Sequence, residues 1–260
     1  MPESTEKLIE IVRVLSDENM RFSMLGKGSN TLISDGICES VLISTKALNK
    51  VKIDGNFAVC ECGAPINDVI SEGRKNGLGG LEFLSGVPCS VGGAAKMNAG
   101  AFGAQIGVYI YKTHILNLDC ANCDKIEEQE ICAKDLHFSY RRGASGVVLD
   151  VMLKLDEKPL EKSISEAKRY LSFRRMKQPS LPSLGSVFKN GEIASGKLIE
   201  NCSLKGEKRG GARISEKHAN FFVNEGGASA EDYLYLVELC KKRVYENTGV
   251  FLEEEFVLIK

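Results

Sequence analysis

Ser85-Gly-Val-Pro-Cys-Ser-Val-Gly-Gly-Ala94, followed closely by Met97-Asn-Ala-Gly-Ala-Phe-Gly103, is the stretch on which the fold turns. Ten of the 26 glycines fall within residues 73–107, and Glu82 and Lys96 are the only charged residues between positions 77 and 111. A helix loses about 1 kcal/mol per interior glycine relative to alanine. A loop that must bring backbone close to a ligand suffers no such loss. The stretch therefore reads as a loop of small residues with hydroxyls and a single amide. Upstream, Gly26-Lys27-Gly28-Ser29-Asn30 follows the strand-like run 22–25 and offers backbone N–H groups in a concave turn, a usual way to hold a pyrophosphate. Taken alone, such a loop is a plain tight turn more often than a ligand site. It is not a dinucleotide fingerprint, because Thr31 stands where the third glycine belongs, and it is not a P-loop. Together the two loops look like a cradle for a large, flat, phosphate-bearing cofactor.

Outward from the cradle the pattern is mixed helix and strand, an α+β chain. Leu8, Ile11, Val12 and Leu15 mark one face of a helix over 6–16. Residues 41–43 read as a strand, and 51–53 and 57–59 flank Asp54-Gly55-Asn56 as a hairpin. Pro65 suits the first turn of a helix that stops near Gly77. Strands are expected over 113–118 and 147–155. Lys158-Pro159 and a shift in composition place a boundary there, giving domains 1–157 and 158–260. Beyond it, Ile164, Ala167 and Leu171 mark a helix, and a connector rich in Pro and Ser runs over 178–186. Ser229-Ala-Glu-Asp232 opens a further helix with Tyr233, Leu236, Val237, Cys240 and Val244 on one face, stopped by Asn247 and Gly249. A final strand is expected over 251–259.

Composition narrows the function classes. With 260 residues, 43% hydrophobic and 27% charged, the chain is globular, neither disordered nor a coiled coil. Thirty-four Lys+Arg against 35 Asp+Glu argue against a dedicated nucleic-acid or anionic-membrane binder. That average hides an excess of +8 over residues 168–217, leaving −9 on the rest. A basic stretch beside an uncharged glycine loop suits a ligand carrying phosphates, though a solvated basic face reads equally well. The N-terminal run MPESTEKLIEI has no secretory pattern, and no uncharged run reaches the ~18–20 apolar residues of a membrane span. Nine cysteines without such a signal point to a reducing cytosol. Cys60-Glu-Cys62 and Cys120-Ala-Asn-Cys123, the second in a hairpin turn, read as ordinary thiols, so no metal is expected. His114, His137 and His218 show neither triad nor metal spacing and read as structural.

The two loops, Tyr140-Arg141, Gly185-Ser-Val-Phe-Lys-Asn190, Ser215-Glu-Lys-His-Ala-Asn-Phe221 and the closing Leu252-Glu-Glu-Glu255 resemble, in content and order, the UDP-N-acetylenolpyruvoylglucosamine reductase family. The resemblance runs from about residue 20 to the C-terminus. It implies an FAD-binding domain of the vanillyl-alcohol-oxidase (PCMH) type, followed by a smaller α+β substrate domain. It further implies NADPH as reductant and UDP-N-acetylglucosamine enolpyruvate as substrate, reduced to UDP-N-acetylmuramate in peptidoglycan precursor synthesis. A cytoplasmic monomer with no nucleic-acid or membrane partner is expected. Carried over by position, the cofactor contacts would be Gly26, Lys27, Gly28, Ser29, Asn30, Ser85, Gly86, Pro88, Ser90, Gly92, Gly93, Asn98, Ala99 and Gly100. Asn190, Lys217 and Asn220 would touch substrate or its diphosphate.

The same resemblance implies three catalytic side chains. Hydride from the reduced flavin would reach the vinyl carbon distal to the ether oxygen, leaving charge delocalised into the substrate carboxylate. Ser186 would then give a proton to the adjacent carbon, which a hydroxyl does only near cations and away from water. Arg141 would hold the carboxylate with its fork of donors. Glu255 would be an acid or enolate stabiliser; strand alternation groups it with Phe251, Glu253, Val257 and Ile259, where apolar neighbours tend to raise a carboxyl pKa. Periodicity alone does not separate Glu253 from Glu255; the family's L-x-x-E pattern takes Glu255. Without the resemblance, Ser186 reads as a turn residue and Arg141 as a surface arginine. The chain departs from the family at Gly143, where Ser is usual, at Gly191 for Pro, at Cys89 for Gly, and at Glu254 and Phe256. Members usually begin with a further T-[TS]-F-x-x-G-G segment, so either an upstream start or weaker flavin binding is expected, along with the shorter subtype. A different FAD-dependent oxidase of the same superfamily and a non-catalytic binder of nucleotide sugars are the alternatives.

Overall fold

The computed structural model describes residues 1–118 and 126–260. The Cys120–Cys123 pair and its expected turn lie outside the described residues. By contacts the chain forms two compact units, one of residues 1–27 and 41–172, the other of residues 28–40 and 173–260.

The first unit opens with helix α1 (Thr5–Asp17), capped by Ser4 and burying Leu8, Ile9, Val12 and Leu15. Phe22–Leu25 pairs in parallel with Val41–Ser44. The main sheet has five antiparallel strands in the order Glu127–Cys132, Ile110–Asn117, Val147–Lys154, Phe57–Glu61, Val51–Asp54. The 127–132 strand, EEQEIC, carries almost no apolar signal, and it sits at the sheet edge, where charged side chains face solvent at little cost. Helix α2 (Ile66–Lys75) follows Pro65, which stands at the N-cap, one residue before the first turn. Contrary to the loop reading of the glycine-rich stretch, Val91–Lys96 forms a short helix, α3, with Ser90 as its N-cap. A 3-10 turn over Glu82–Leu84 precedes it.

Glu82, 2% exposed, accepts hydrogen bonds from Ser163 Oγ (2.7 Å), Lys158 Nζ (2.9 Å) and Gly80 N–H (2.8 Å). Burial pushes its carboxyl pKa up, but those bonds outweigh it and hold the group below the ordinary value. This buried carboxylate ties the start of helix α4 (Leu160–Lys177) to the first unit. The contact division therefore runs within α4, between Ser172 and Phe173, and not at 157/158.

The second unit is built on a four-stranded antiparallel sheet in the order Ser183–Ser186, Phe221–Asn224, Ala212–Ile214, Lys208–Arg209. Helices α5 (Ser195–Asn201) and α6 (Ala230–Thr248) pack with it around Phe188, Phe222, Leu198, Ile199, Leu236 and Val237. Each fully buried side chain of this size is worth about 1.5–3 kcal/mol. The expected capping box of α6 is present between Ser229 and Asp232, and Gly249 closes the helix at φ 71°. The expected final strand is shorter than its pattern: only Val257–Ile259 is a strand, paired in parallel with Thr31–Ile33, which brings residues 28–40 into this unit.

Candidate functional site

The turn after the 22–25 strand, which runs from the first unit into residues 28–40 of the second, places Gly28 at φ 68°. The backbone N–H groups of Lys27, Gly28, Ser29 and Asn30 donate to no acceptor among the described residues. Consecutive unspent donors around a left-handed residue form a nest that fits a pyrophosphate. A Cβ on Gly26 would lie 2.5 Å from Ser90 Oγ, so the turn and the Ser90 loop meet closely enough to require glycine. Helix α3 behaves differently. Its N–H groups at Val91 and Gly92 go to the carbonyls of Ala64 and Cys62, and a Cβ on Gly92 would lie 2.8 Å from Cys62 Cβ and O. Gly92 thus serves close packing of α3. Gly86, Pro88 and Gly93 are exposed, Ala99 and Gly100 are half-buried, and Ser85 is 5% exposed. The unspent 27–30 donors suit a phosphate group.

Arg141 lies in a tight turn in which Ser139 and Arg142 bond each other through both backbone pairs, at 2.9 and 3.1 Å. Its own φ is 56°, a left-handed conformation unusual for arginine. Its Nη1 donates to the Gly100 carbonyl at 3.3 Å. Asn98, expected on the cofactor, is 2% exposed and engages Ser139, Gln105 and Gly107.

The second unit contains a cleft of about 260 Å³ lined by Ser186, Asn190, Lys197, Glu200, Lys205, Lys217, His218 and Asn220, among others. A register shift between Ser183 and Ser186, with Gly185 at φ 79°, breaks the strand next to Ser186; such bulges re-aim a side chain. Asn220, 1% exposed, clasps the backbone of Phe188, accepting from its N–H at 2.9 Å and donating to its carbonyl at 2.8 Å. It holds the Ser186–Phe188 segment with its amide already engaged. Asn190 Oδ1 accepts from Ser195 N–H at the start of α5, and Lys217 Nζ donates to the Arg175 carbonyl. Glu255 N–H donates to Val187 O, and its carbonyl accepts from Asn30 Nδ2 at 2.9 Å, so Glu255 and Ser186 lie on bonded neighbouring segments. Glu255 Oε2 is buried, whereas Glu253 is exposed and pairs with Lys189. The alternation argument for Glu255 does not describe this segment: Phe251 is 79% exposed and Val257 49%, while Leu252 and Phe256 are buried.

The cleft also holds residues that spacing did not single out. Lys205 pairs with Glu200 at 2.6 Å. His218 Nδ1 accepts from Asn220 N–H at 3.2 Å, and burial, then the charge of Lys205, keeps its pKa below the ordinary value. The signal for it lay in the S-E-K-H-A-N-F run itself. By contrast, His114 bonds Asp150 at 3.0 Å on the main sheet. Cys60 and Cys62 are buried, which pushes both thiols up to about 12. Among the described residues, no group of His, Cys, Asp and Glu is arranged to hold a metal ion, and no helix is long and apolar enough to cross a membrane.

Two family models match separate parts of the chain. A family model for an FAD binding domain covers residues 1–124, and one for the UDP-N-acetylenolpyruvoylglucosamine reductase C-terminal domain covers residues 177–259. The UDP-N-acetylenolpyruvoylglucosamine reductase of Caldicellulosiruptor bescii is 40% identical over 99% of this chain and 83% of its own length. That of Chloroherpeton thalassium is 40% identical over 96% of this chain and 83% of its own. The crystal structure of the Thermus caldophilus enzyme superposes with a TM-score of 0.82 at 32% identity, covering 99% of this chain and 90% of that one. On sequence and fold alike, the chain belongs to the UDP-N-acetylenolpyruvoylglucosamine reductase family.

Proposed function

We propose that the chain is an FAD-dependent oxidoreductase that reduces UDP-N-acetylglucosamine enolpyruvate to UDP-N-acetylmuramate with NADPH, in peptidoglycan precursor synthesis. The observation that carries this reading is the cleft in which Ser186 stands among Asn190, Lys205, Lys217 and His218, with the Glu255 segment bonded to the chain beside Ser186. Bound FAD supplies hydride, taken from NADPH, to the enolpyruvyl double bond. The 27–30 donors would hold its pyrophosphate. Lys197, Lys205 and Lys217 suit the substrate diphosphate, and their charge stabilises an alkoxide-like Ser186 Oγ as it gives up its proton. Arg141 takes the carboxylate, and Glu255, on the segment bonded to that of Ser186, would steady or replace the proton.

The test is Ser186→Ala followed by stopped-flow absorbance. NADPH should bleach the flavin at the parent rate, while oxidation by the enolpyruvyl nucleotide falls by about 10²-fold or more, the usual scale of a lost general acid. Parent-like turnover by Ser186→Ala would remove the proton-donor assignment. Turnover of alcohols with oxygen, and none of the nucleotide, would favour another flavin oxidase.

A further inference from the structure

Arg141 cannot find its position unaided, because a left-handed backbone is unfavourable for a long side chain with a Cβ. One side chain that holds its turn is the Asn98 amide. Asn98, itself at φ 42°, donates through Nδ2 to the Ser139 carbonyl at 2.9 Å and to Gln105 Oε1 at 3.0 Å, and accepts from Gly107 N–H through Oδ1 at 3.0 Å. Both Nδ2 hydrogens are used, so the side chain has no donor left for a cofactor. Ser139 is the first residue of the four-residue turn that carries Arg141, and its carbonyl also accepts from Arg142 N–H.

The far end of the same arm meets the same segment. Arg141 Nη1 donates to Gly100 O, two residues beyond Asn98. Past the turn, Gly143 N–H donates to Lys96 O and Ala144 N–H to Ala95 O. A Cβ on Gly143 would lie 1.9 Å from Ala95 O. Glycine in place of the family's usual serine therefore lets this turn dock against the end of α3. The turn, the guanidinium and the residues after the turn are all bonded to residues 95–100, and the Asn98 side chain supplies the bond to the turn itself, at the Ser139 carbonyl.

We propose that Asn98 is a positioning residue that sets Arg141 for a carboxylate-bearing ligand, and does not contact the cofactor. This inference rests on the reading of Arg141 as the carboxylate holder. It is tested with Asn98→Gly, since glycine accepts the left-handed backbone and removes only the amide. Two probes separate a positioning role from a packing role: UDP-N-acetylmuramate, which carries the carboxylate, and UDP-N-acetylglucosamine, which lacks it. Asn98→Gly in the FAD-loaded protein should weaken the first about tenfold and leave the second unchanged. Flavin reduction by NADPH should keep its parent rate, while reoxidation by the enolpyruvyl nucleotide slows by up to about 10²-fold, the scale of a small misplacement. In an Arg141→Ala background the Asn98 change should have no further effect on either.

Equal weakening of both probes, loss of FAD, or an unchanged affinity for UDP-N-acetylmuramate would overturn the assignment. If Asn98→Gly does not accumulate as folded protein, Asn98→Asp bears the same test, because it keeps the Gly107 contact and sets a carboxylate against Ser139 O. Should Arg141→Ala itself bind UDP-N-acetylmuramate like the parent, the reading of Arg141 fails, and that result is distinct from the failure of Asn98.

Discussion

His218 is held neutral by its surroundings. Burial comes first and the charge of Lys205 second in lowering its pKa, and the Asn220 N–H at Nδ1 puts the neutral ring's proton on Nε2. A histidine whose folded pKa lies below the unfolded value of about 6.5 takes up a proton more readily when unfolded. Its contribution is fully present above that unfolded value and is lost as pH falls through the folded one. Melting temperatures of the parent should therefore fall more steeply than those of His218→Gln between about pH 7 and pH 5. Equal acid slopes would show that the ring is not buried in its neutral form. The sequence reading passed over His218 because triad and metal spacing look only for titratable partners, and this partner is a main-chain N–H. The hydrogen bonds of Asn98 and Asn220 are illegible in the sequence for a related reason. Their motif positions suggested ligand contacts, but their amides are engaged with backbone more than 30 residues away in sequence.

Helix α3 shows where glycine counting fails. Propensity argues against a helix at Val91–Lys96, yet the carbonyls of Cys62 and Ala64 receive its first N–H groups, and Gly92 lets it approach within contact of Cys62. Tertiary contacts outweigh the unfavourable propensity. Gly92→Ala would set a methyl 2.8 Å from Cys62 Cβ and O, with backbone on one side that does not give way. We expect a loss of about 1–3 kcal/mol, the usual scale of overpacking, read as a lower urea midpoint with an unchanged slope. Gly93→Ala is the control. Its Cβ would lie 3.2 Å from Ser90 Oγ alone, and the gain in helix propensity offsets part of that crowding. A Gly92→Ala protein as stable as the parent would mean that α3 shifts without cost. By contrast α6 was fully legible, because its capping box and its stripe from Tyr233 to Val244 are local signals that the packing respects.

A net charge of −1 over 260 residues says little about binding, because attraction depends on where the charge sits. The +8 excess over 168–217 supplies Lys197, Lys205 and, at its end, Lys217, all of which line the cleft beside Ser186. The domain boundary was harder to read than the charge. It depends on pairs far apart in sequence, such as Glu82 with Lys158 and the 31–33 strand with 257–259, and a composition shift at Lys158-Pro159 carries no trace of either. The charge distribution makes a prediction that needs no variant to begin with. Exposed cations attract a diphosphate through solvent, and screening shortens their reach to about 8 Å at 0.15 M salt and about 3 Å at 1 M. At saturating NADPH, the KM for the enolpyruvyl nucleotide should rise steadily with ionic strength, while kcat changes little, since groups already in contact with bound substrate are screened far less. Lys205→Gln should raise KM at low salt and flatten the dependence, because it removes one attracting charge and leaves Glu200 without its cation. A KM that holds constant from about 0.05 M to 0.5 M salt would show that the nucleotide is bound by groups other than these lysines.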